Sequence, residues 1–155
     1  MSELGTRRFQ IASEEDRLWC AGEAKRLSAE IGFDPIAQGE IALCVAELTG
    51  NAAKHAGKGL LELGVIGDPR VGIRVIVEDN GPGLRNPEMV LIDGYSEGRK
   101  RTPDTPRLPG ESLGIGLGAV KRLMSHVEIQ NRPGEGVRVV AVRWLERPKG
   151  GMDYR

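Results

Sequence analysis

The sequence predicts an α/β protein of the α+β type, a two-layer sandwich whose mostly antiparallel sheet carries helices on one face. Two pairs of alternating apolar segments, each joined by a short turn, predict β-hairpins. Two long segments and one short one carry apolar residues at helical spacing, and these predict the helical layer. With 155 residues and no internal repeat, we expect a single domain over residues 1–155.

The N-terminal third predicts a short strand and two helices. Residues 8–11 alternate weakly, and Ser13 before three acidic residues indicates the start of a helix that ends at Gly32. Asp34 followed by proline starts a second helix, which glycines end near residue 57. Its apolar side is predicted to be Ile36, Ile41, Val45, Leu48 and Ala52.

The remaining segments predict two hairpins separated by a helix. Residues 60–66 and 73–77 alternate in period two, and residues 127–131 and 137–145 form a second such pair. Apolar residues recur at helical spacing from Leu113 through Met124 to Val127. The expected order is therefore β-α-α-β-β, a long loop, and then α-β-β.

Composition excludes several classes of function. The 22 basic and 22 acidic residues cancel, and aromatic residues are only 4%, so nothing favours a nucleic-acid partner. No apolar run of about 18 residues predicts a membrane span, and the first residues show no signal sequence. We expect a cytoplasmic protein in which Cys20 and Cys44 are small buried side chains.

The first candidate site lies on the second helix. Glu47 and Asn51 are four residues apart and share one helix face. A carboxylate can orient a hydroxyl or accept its proton, and an amide oxygen suits Mg²⁺. The pair could equally be solvated or serve as a cap, and Lys54 could contact phosphate or be a surface lysine.

Two glycine-rich segments form the other candidate sites. Asp79, at a strand end before Gly81 and Gly83, is either part of a tight turn or a carboxylate that accepts from the adenine amine. Residues 114–118, Gly-Ile-Gly-Leu-Gly, lead into a helix whose N-terminus favours phosphate. No P-loop string occurs, and no strand precedes the second segment as a dinucleotide fold requires.

The order of these three segments resembles the N, G1 and G2 boxes of the GHKL ATPase superfamily. The size resembles the anti-sigma-factor serine kinases of that superfamily. Within these, the RsbT group of stressosome switch kinases is most similar, through residues 93–96 (Asp-Gly-Tyr-Ser), 118–124, 134–136 and 143–145. The resemblance covers roughly residues 10–146 and implies the Bergerat ATP-binding fold.

The resemblance implies a role for each matched residue. Asp79 binds adenine, with Gly81 and Gly83 beside the base, and Asn51 holds Mg²⁺. Glu47 is the general base, and residues 94–113 form the ATP lid, although a basic, proline-containing loop of this kind could also be merely solvated. Backbone N–H groups for the phosphates come from Gly114, Ile115, Gly116, Leu117 and Gly118, with Lys54 nearby.

The implied function is an ATP- and Mg²⁺-dependent serine/threonine kinase that acts on a STAS-domain protein in partner switching. An alternative is an ATP-binding module that binds a sigma factor or a PP2C-type phosphatase without catalysis. An ATPase that drives a conformational cycle is a third, weaker interpretation. One departure concerns Val137, which stands where the family often has a threonine that supports the adenine-binding aspartate, so we expect that contact to be missing.

Overall fold

A computed structural model describes residues 2–67, 69–82, 95–96, 99–100, 116–132 and 134–146. Among these residues the predicted order of strands and helices is confirmed, and a two-residue strand pair, β4 and β5, also lies inside the long loop. The strands are β1 (Ser2–Ile11), β2 (Gly59–Gly67), β3 (Gly72–Glu78), β4 (Tyr95–Ser96), β5 (Arg99–Lys100), β6 (His126–Arg132) and β7 (Gly136–Trp144). The helices are α1 (Asp16–Ile31), α2 (Pro35–Ala56) and α3 (Gly116–Leu123).

The main sheet has five strands in the order β1-β2-β3-β7-β6, and every neighbouring pair is antiparallel. The register places Leu61 beside Val77 and Val77 beside Val139, so one apolar row crosses three strands. These side chains are buried with apolar residues of all three helices. The predicted two-layer α+β sandwich is therefore confirmed.

Local signals explain where the helices begin and end. The Asp34 carboxylate accepts a hydrogen bond from the Ala37 N–H at 2.8 Å and caps α2, with Pro35 at the first helical position. Gly32 and Gly57 take left-handed φ angles of 115° and 80° at the C-termini of α1 and α2. Both helices therefore end at the glycines that the sequence indicated.

Several boundaries differ from the sequence prediction. Strand β1 begins at Ser2 because it pairs along the whole of β2, although its first residues show little alternation. Helix α1 starts at Asp16, whose carboxylate accepts from the Ala12 and Ser13 N–H groups, so Ser13 is not the cap. Ile36 is 75% exposed, because Phe33 and Ala37 fill the core at that end. Val127 lies in β6 and not in α3.

Among the described residues, no helix is both long and apolar enough to cross a membrane.

Both cysteines are free and fully buried, as the sequence predicted. Burial raises the pKa of Cys20 to about 11 and that of Cys44 to about 12. We therefore expect neither thiol to react with Ellman's reagent in the folded protein at neutral pH, whereas both should react in denaturant. Cys20→Ala should halve the number of thiols that react in denaturant. Rapid stoichiometric labelling under native conditions would contradict this packing.

Candidate functional site

Helix α2 carries the first predicted site residues on one face. Glu47 is 1% exposed, and Asn51, one turn later, is half-buried. Lys54 is half-buried, and its Nζ atom is buried. Glu47 is therefore not part of a solvated pair, and its carboxyl oxygens need hydrogen-bond donors inside the protein.

A hydrogen bond connects Glu47 to the third predicted segment. The Gly116 N–H donates to Glu47 Oε1 at 3.2 Å, in a buried contact between residues 69 positions apart in the sequence. Gly116 is the first residue of α3 and has a φ of 73°, which glycine adopts without strain. The carboxylate thus lies at the N-terminus of α3, where a negative charge is favoured by the helix dipole.

Helix α3 is also held at its other end and along its inner side. Arg143 of β7 donates through Nη1 to the Leu123 carbonyl oxygen at 3.0 Å and pairs with Glu40 of α2 at 3.5 Å. Leu117 and Val120 are 5% and 0% exposed and belong to the core. Packing therefore fixes α3 against α2 and places the side chain of Leu117 in the core.

Asp79, at the end of β3, is oriented by backbone N–H groups. Its Oδ1 atom accepts from Gly81 at 2.9 Å and from Val137 at 3.3 Å. Its own N–H donates to the Val137 carbonyl oxygen at 3.0 Å. Two backbone donors therefore hold one oxygen of this carboxylate in place.

Close packing holds the Asp79 segment against its neighbours. A Cβ atom on Gly81 would lie 2.8 Å from the Cβ of Ala56, the last residue of α2. A Cβ atom on Gly136, at the start of β7, would lie 2.0 Å from the Asp79 carbonyl oxygen. Only glycine fits at either position without a shift, so both glycines allow the segment to approach α2 and β7.

The structure brings the three predicted segments together around α2. Its middle contacts Gly116 through Glu47, and its end contacts Gly81. Gly118 is buried within α3. Gly83, Gly114, Ile115 and nearly all of the predicted lid, residues 94–113, lie outside the described residues.

The Val137 backbone has a role that the sequence did not predict. Valine has no hydroxyl group, and that side-chain contact is indeed missing, but the Val137 N–H makes its own hydrogen bond to Asp79. The flanking Gly136, with a φ of 115°, lets β7 pass close enough for this bond. A glycine immediately before the valine was the available signal, but its meaning depends on the pairing of β3 with β7.

The arrangement suits a magnesium nucleotide. The carboxylate of Asp79 accepts hydrogen bonds and so selects a ligand that donates there, and the start of α3 favours an anion. The amide oxygen of Asn51, on the helix between these two ends, is a hard ligand that would suit Mg²⁺. Among the described residues, no group of three or more His, Cys, Asp or Glu side chains could hold a metal ion by itself.

Comparison with known proteins identifies one family. Residues 17–144 match the histidine kinase-like ATPase domain. Serine/threonine-protein kinase RsbT of Bacillus subtilis is 31% identical over 137 residues, which cover 88% of this chain and 94% of RsbT. The superfamily resemblance inferred from the three segments, and the similarity to RsbT, are thereby confirmed.

Histidine kinases give more partial matches. The signal transduction histidine-protein kinase AfsQ2 of Streptomyces coelicolor is 33% identical over 112 residues, which span 70% of this chain but 20% of that protein. The histidine kinase domain of a blue-light activated histidine kinase from Erythrobacter litoralis has a TM-score of 0.43 and 19% identity. That comparison covers 79% of this chain and 58% of the other.

Gly136 and Gly134 allow a matched test of the contact with Asp79. Both have positive φ angles, 115° and 78°, but a Cβ atom on Gly134 would meet nothing within 4 Å. We expect Gly134→Ala to cost about 1–2 kcal/mol of backbone strain. Gly136→Ala should cost about 1–3 kcal/mol more, because the Asp79 backbone must move. Equal free energies of unfolding in urea would contradict the contact.

Proposed function

The chain belongs to the histidine kinase-like ATPase family, and on that premise we propose that it is an ATP-dependent protein serine/threonine kinase. The observation that carries this proposal is the buried Glu47 carboxylate at the N-terminus of α3, one helical turn from Asn51. A site that only bound nucleotide would not need a proton acceptor at this point. The similarity to RsbT over nearly its whole length supports the same activity.

The adenine end of the site is Asp79. With Oδ1 held by Gly81 and Val137, the carboxylate keeps a fixed orientation in which Oδ2 accepts from the exocyclic amine of adenine. Guanine presents an acceptor at the same place and would be repelled. Gly81 and Gly83 allow the backbone to lie beside the base.

The phosphate end is formed by α2 and α3. Backbone N–H groups of residues 114–118 and the positive end of the α3 dipole attract the phosphates. Asn51 would hold Mg²⁺, and the ion would neutralise part of the phosphate charge. Lys54 adds a positive charge on the same helix. These residues position the γ-phosphoryl group and reduce the repulsion felt by an attacking hydroxyl.

Glu47 acts as the general base. A serine or threonine hydroxyl from a partner protein attacks the γ-phosphorus, its proton passes to the Glu47 carboxylate, and the bond to the leaving oxygen of ADP breaks. Phosphoryl transfer needs little covalent assistance, so alignment of the hydroxyl dominates the rate. The buried position of Glu47 keeps bulk water from competing for the carboxylate.

The proposed substrate is a STAS-domain protein of a cytoplasmic partner-switching pathway. A phosphate adds nearly two negative charges, which at an interface is enough to release one complex and favour another. A PP2C-type phosphatase or a sigma factor would be a further binding partner. These assignments rest on the similarity to RsbT.

A regulatory module without catalysis is the second candidate. One observation favours it, because the Glu47–Gly116 hydrogen bond gives the carboxylate a structural use that a non-catalytic protein could retain. Such a module would bind ATP and a partner without transferring phosphate. Only a measurement of phosphotransfer separates the two functions.

Asp79→Asn tests the adenine end. The variant places a donor amide or a neutral acceptor against the base, and loss of a hydrogen bond to a charged group should weaken ATP binding about 10- to 100-fold. Glu78→Gln is the control, because that neighbouring carboxylate pairs instead with Arg132 and Arg138. Calorimetry that showed equal ATP affinity for Asp79→Asn and the wild type would rule out this pocket.

Glu47→Ala tests catalysis. The purified wild-type protein should transfer label from [γ-³²P]ATP to a STAS-domain protein from the same genome. The Glu47→Ala protein should bind ATP but transfer no label. Loss of both activities would remove the basis for assigning Glu47 as the base. Absence of labelling of every STAS protein by wild-type protein that binds ATP would favour the regulatory module.

A further inference from the structure

The proposed general base accepts a hydrogen bond from a backbone N–H group that a phosphate would also need. Glu47 Oε1 accepts from the Gly116 N–H, the first backbone group of α3. An N–H group carries one hydrogen and makes one strong hydrogen bond at a time. The carboxylate and a phosphate oxygen therefore compete for the same donor.

The competition cannot be relieved by a movement of α3. Arg143 holds the Leu123 carbonyl oxygen at its C-terminus, and Leu117 and Val120 are in the core. The backbone geometry at Gly116 depends on its left-handed φ of 73°. The side chain of Glu47 is therefore the group that must change position when a phosphate takes this donor.

Electrostatic repulsion prevents the carboxylate and a phosphate from sharing the N-terminus of α3. The N-terminus of a helix carries the equivalent of about half a positive charge, which stabilises one nearby anion. Two anions at this point repel each other unless a cation lies between them. Without nucleotide, the buried Glu47 carboxylate fills the anion position and satisfies the N–H group of α3.

We propose that Glu47 is a displaceable cap of α3, which a nucleotide phosphate replaces and thereby frees for the substrate hydroxyl. The inference rests on the proposed kinase function and adds regulation to the same site. The carboxylate is engaged by the backbone until phosphate arrives, so the base becomes available only when there is a phosphoryl group to transfer. Part of the binding free energy of ATP is used to displace the carboxylate.

Calorimetry on Glu47→Gln and Glu47→Ala measures this displacement. Both variants should bind ATP·Mg²⁺ about 3- to 10-fold more tightly than the wild type, because the competing anion is gone. Adenosine, which lacks phosphate, should bind all three proteins within about 2-fold. Glu62→Gln removes the same charge from the opposite face of the sheet, where Glu62 pairs with Arg8, and should match the wild type.

The possible outcomes separate this inference from the proposed function. Unchanged or weaker ATP binding in both variants, with ATP binding by the wild type, would overturn the displacement and leave the kinase proposal intact. Equal tightening for adenosine would also overturn it, since the effect would not involve phosphate. Failure of the wild type to bind ATP would overturn both proposals.

Amide spectra with ¹⁵N-labelled glycine test the contact directly. The Gly116 resonance of the nucleotide-free wild type should shift when ATP·Mg²⁺ is added, and in nucleotide-free Glu47→Gln it should already differ from the wild type. The isosteric Glu47→Gln decides the result if Glu47→Ala does not fold. A Gly116 resonance that is identical in the wild type and in Glu47→Gln would overturn the proposed cap.

Discussion

The hydrogen bond between Glu47 and Gly116 is the constraint on which the site depends. A buried carboxylate is tolerated only when polar groups replace its lost water, and the N-terminus of α3 provides such a group. The same bond satisfies an N–H group that a helix start would otherwise leave without an intrahelical partner. One contact thus joins α2 to α3 and places a titratable carboxylate where anions are favoured.

At the opposite end of the site, backbone groups orient the carboxylate of Asp79. Asp79 is held by main-chain donors from Gly81 and Val137, so its orientation depends on the path of the backbone and not on a neighbouring side chain. Gly136 permits that path, because any side chain there would collide with the Asp79 carbonyl oxygen. The Val137 backbone therefore gives the carboxylate a second donor, although valine has no hydroxyl group.

Much of the fold could be predicted because its signals are local. Period-two alternation identified β2, β3 and β7, and Gly32 and Gly57 ended the helices as their conformational freedom allows. The errors lie where pairing or packing overrides local pattern. The first residues of β1 are extended because β2 offers a partner, and Ile36 is exposed because Phe33 and Ala37 fill the nearby core.

The sequence by itself determined the three segments, their order and the chemistry of Glu47, Asn51 and Asp79, because residue type and spacing carry that information. It left open whether Glu47 was solvated, capping or catalytic, and it predicted no support for Asp79 from position 137. Only the tertiary structure decided that Glu47 is buried against Gly116 and that the Val137 backbone holds Asp79. Both contacts join residues more than 50 positions apart, through backbone groups that every residue except proline possesses.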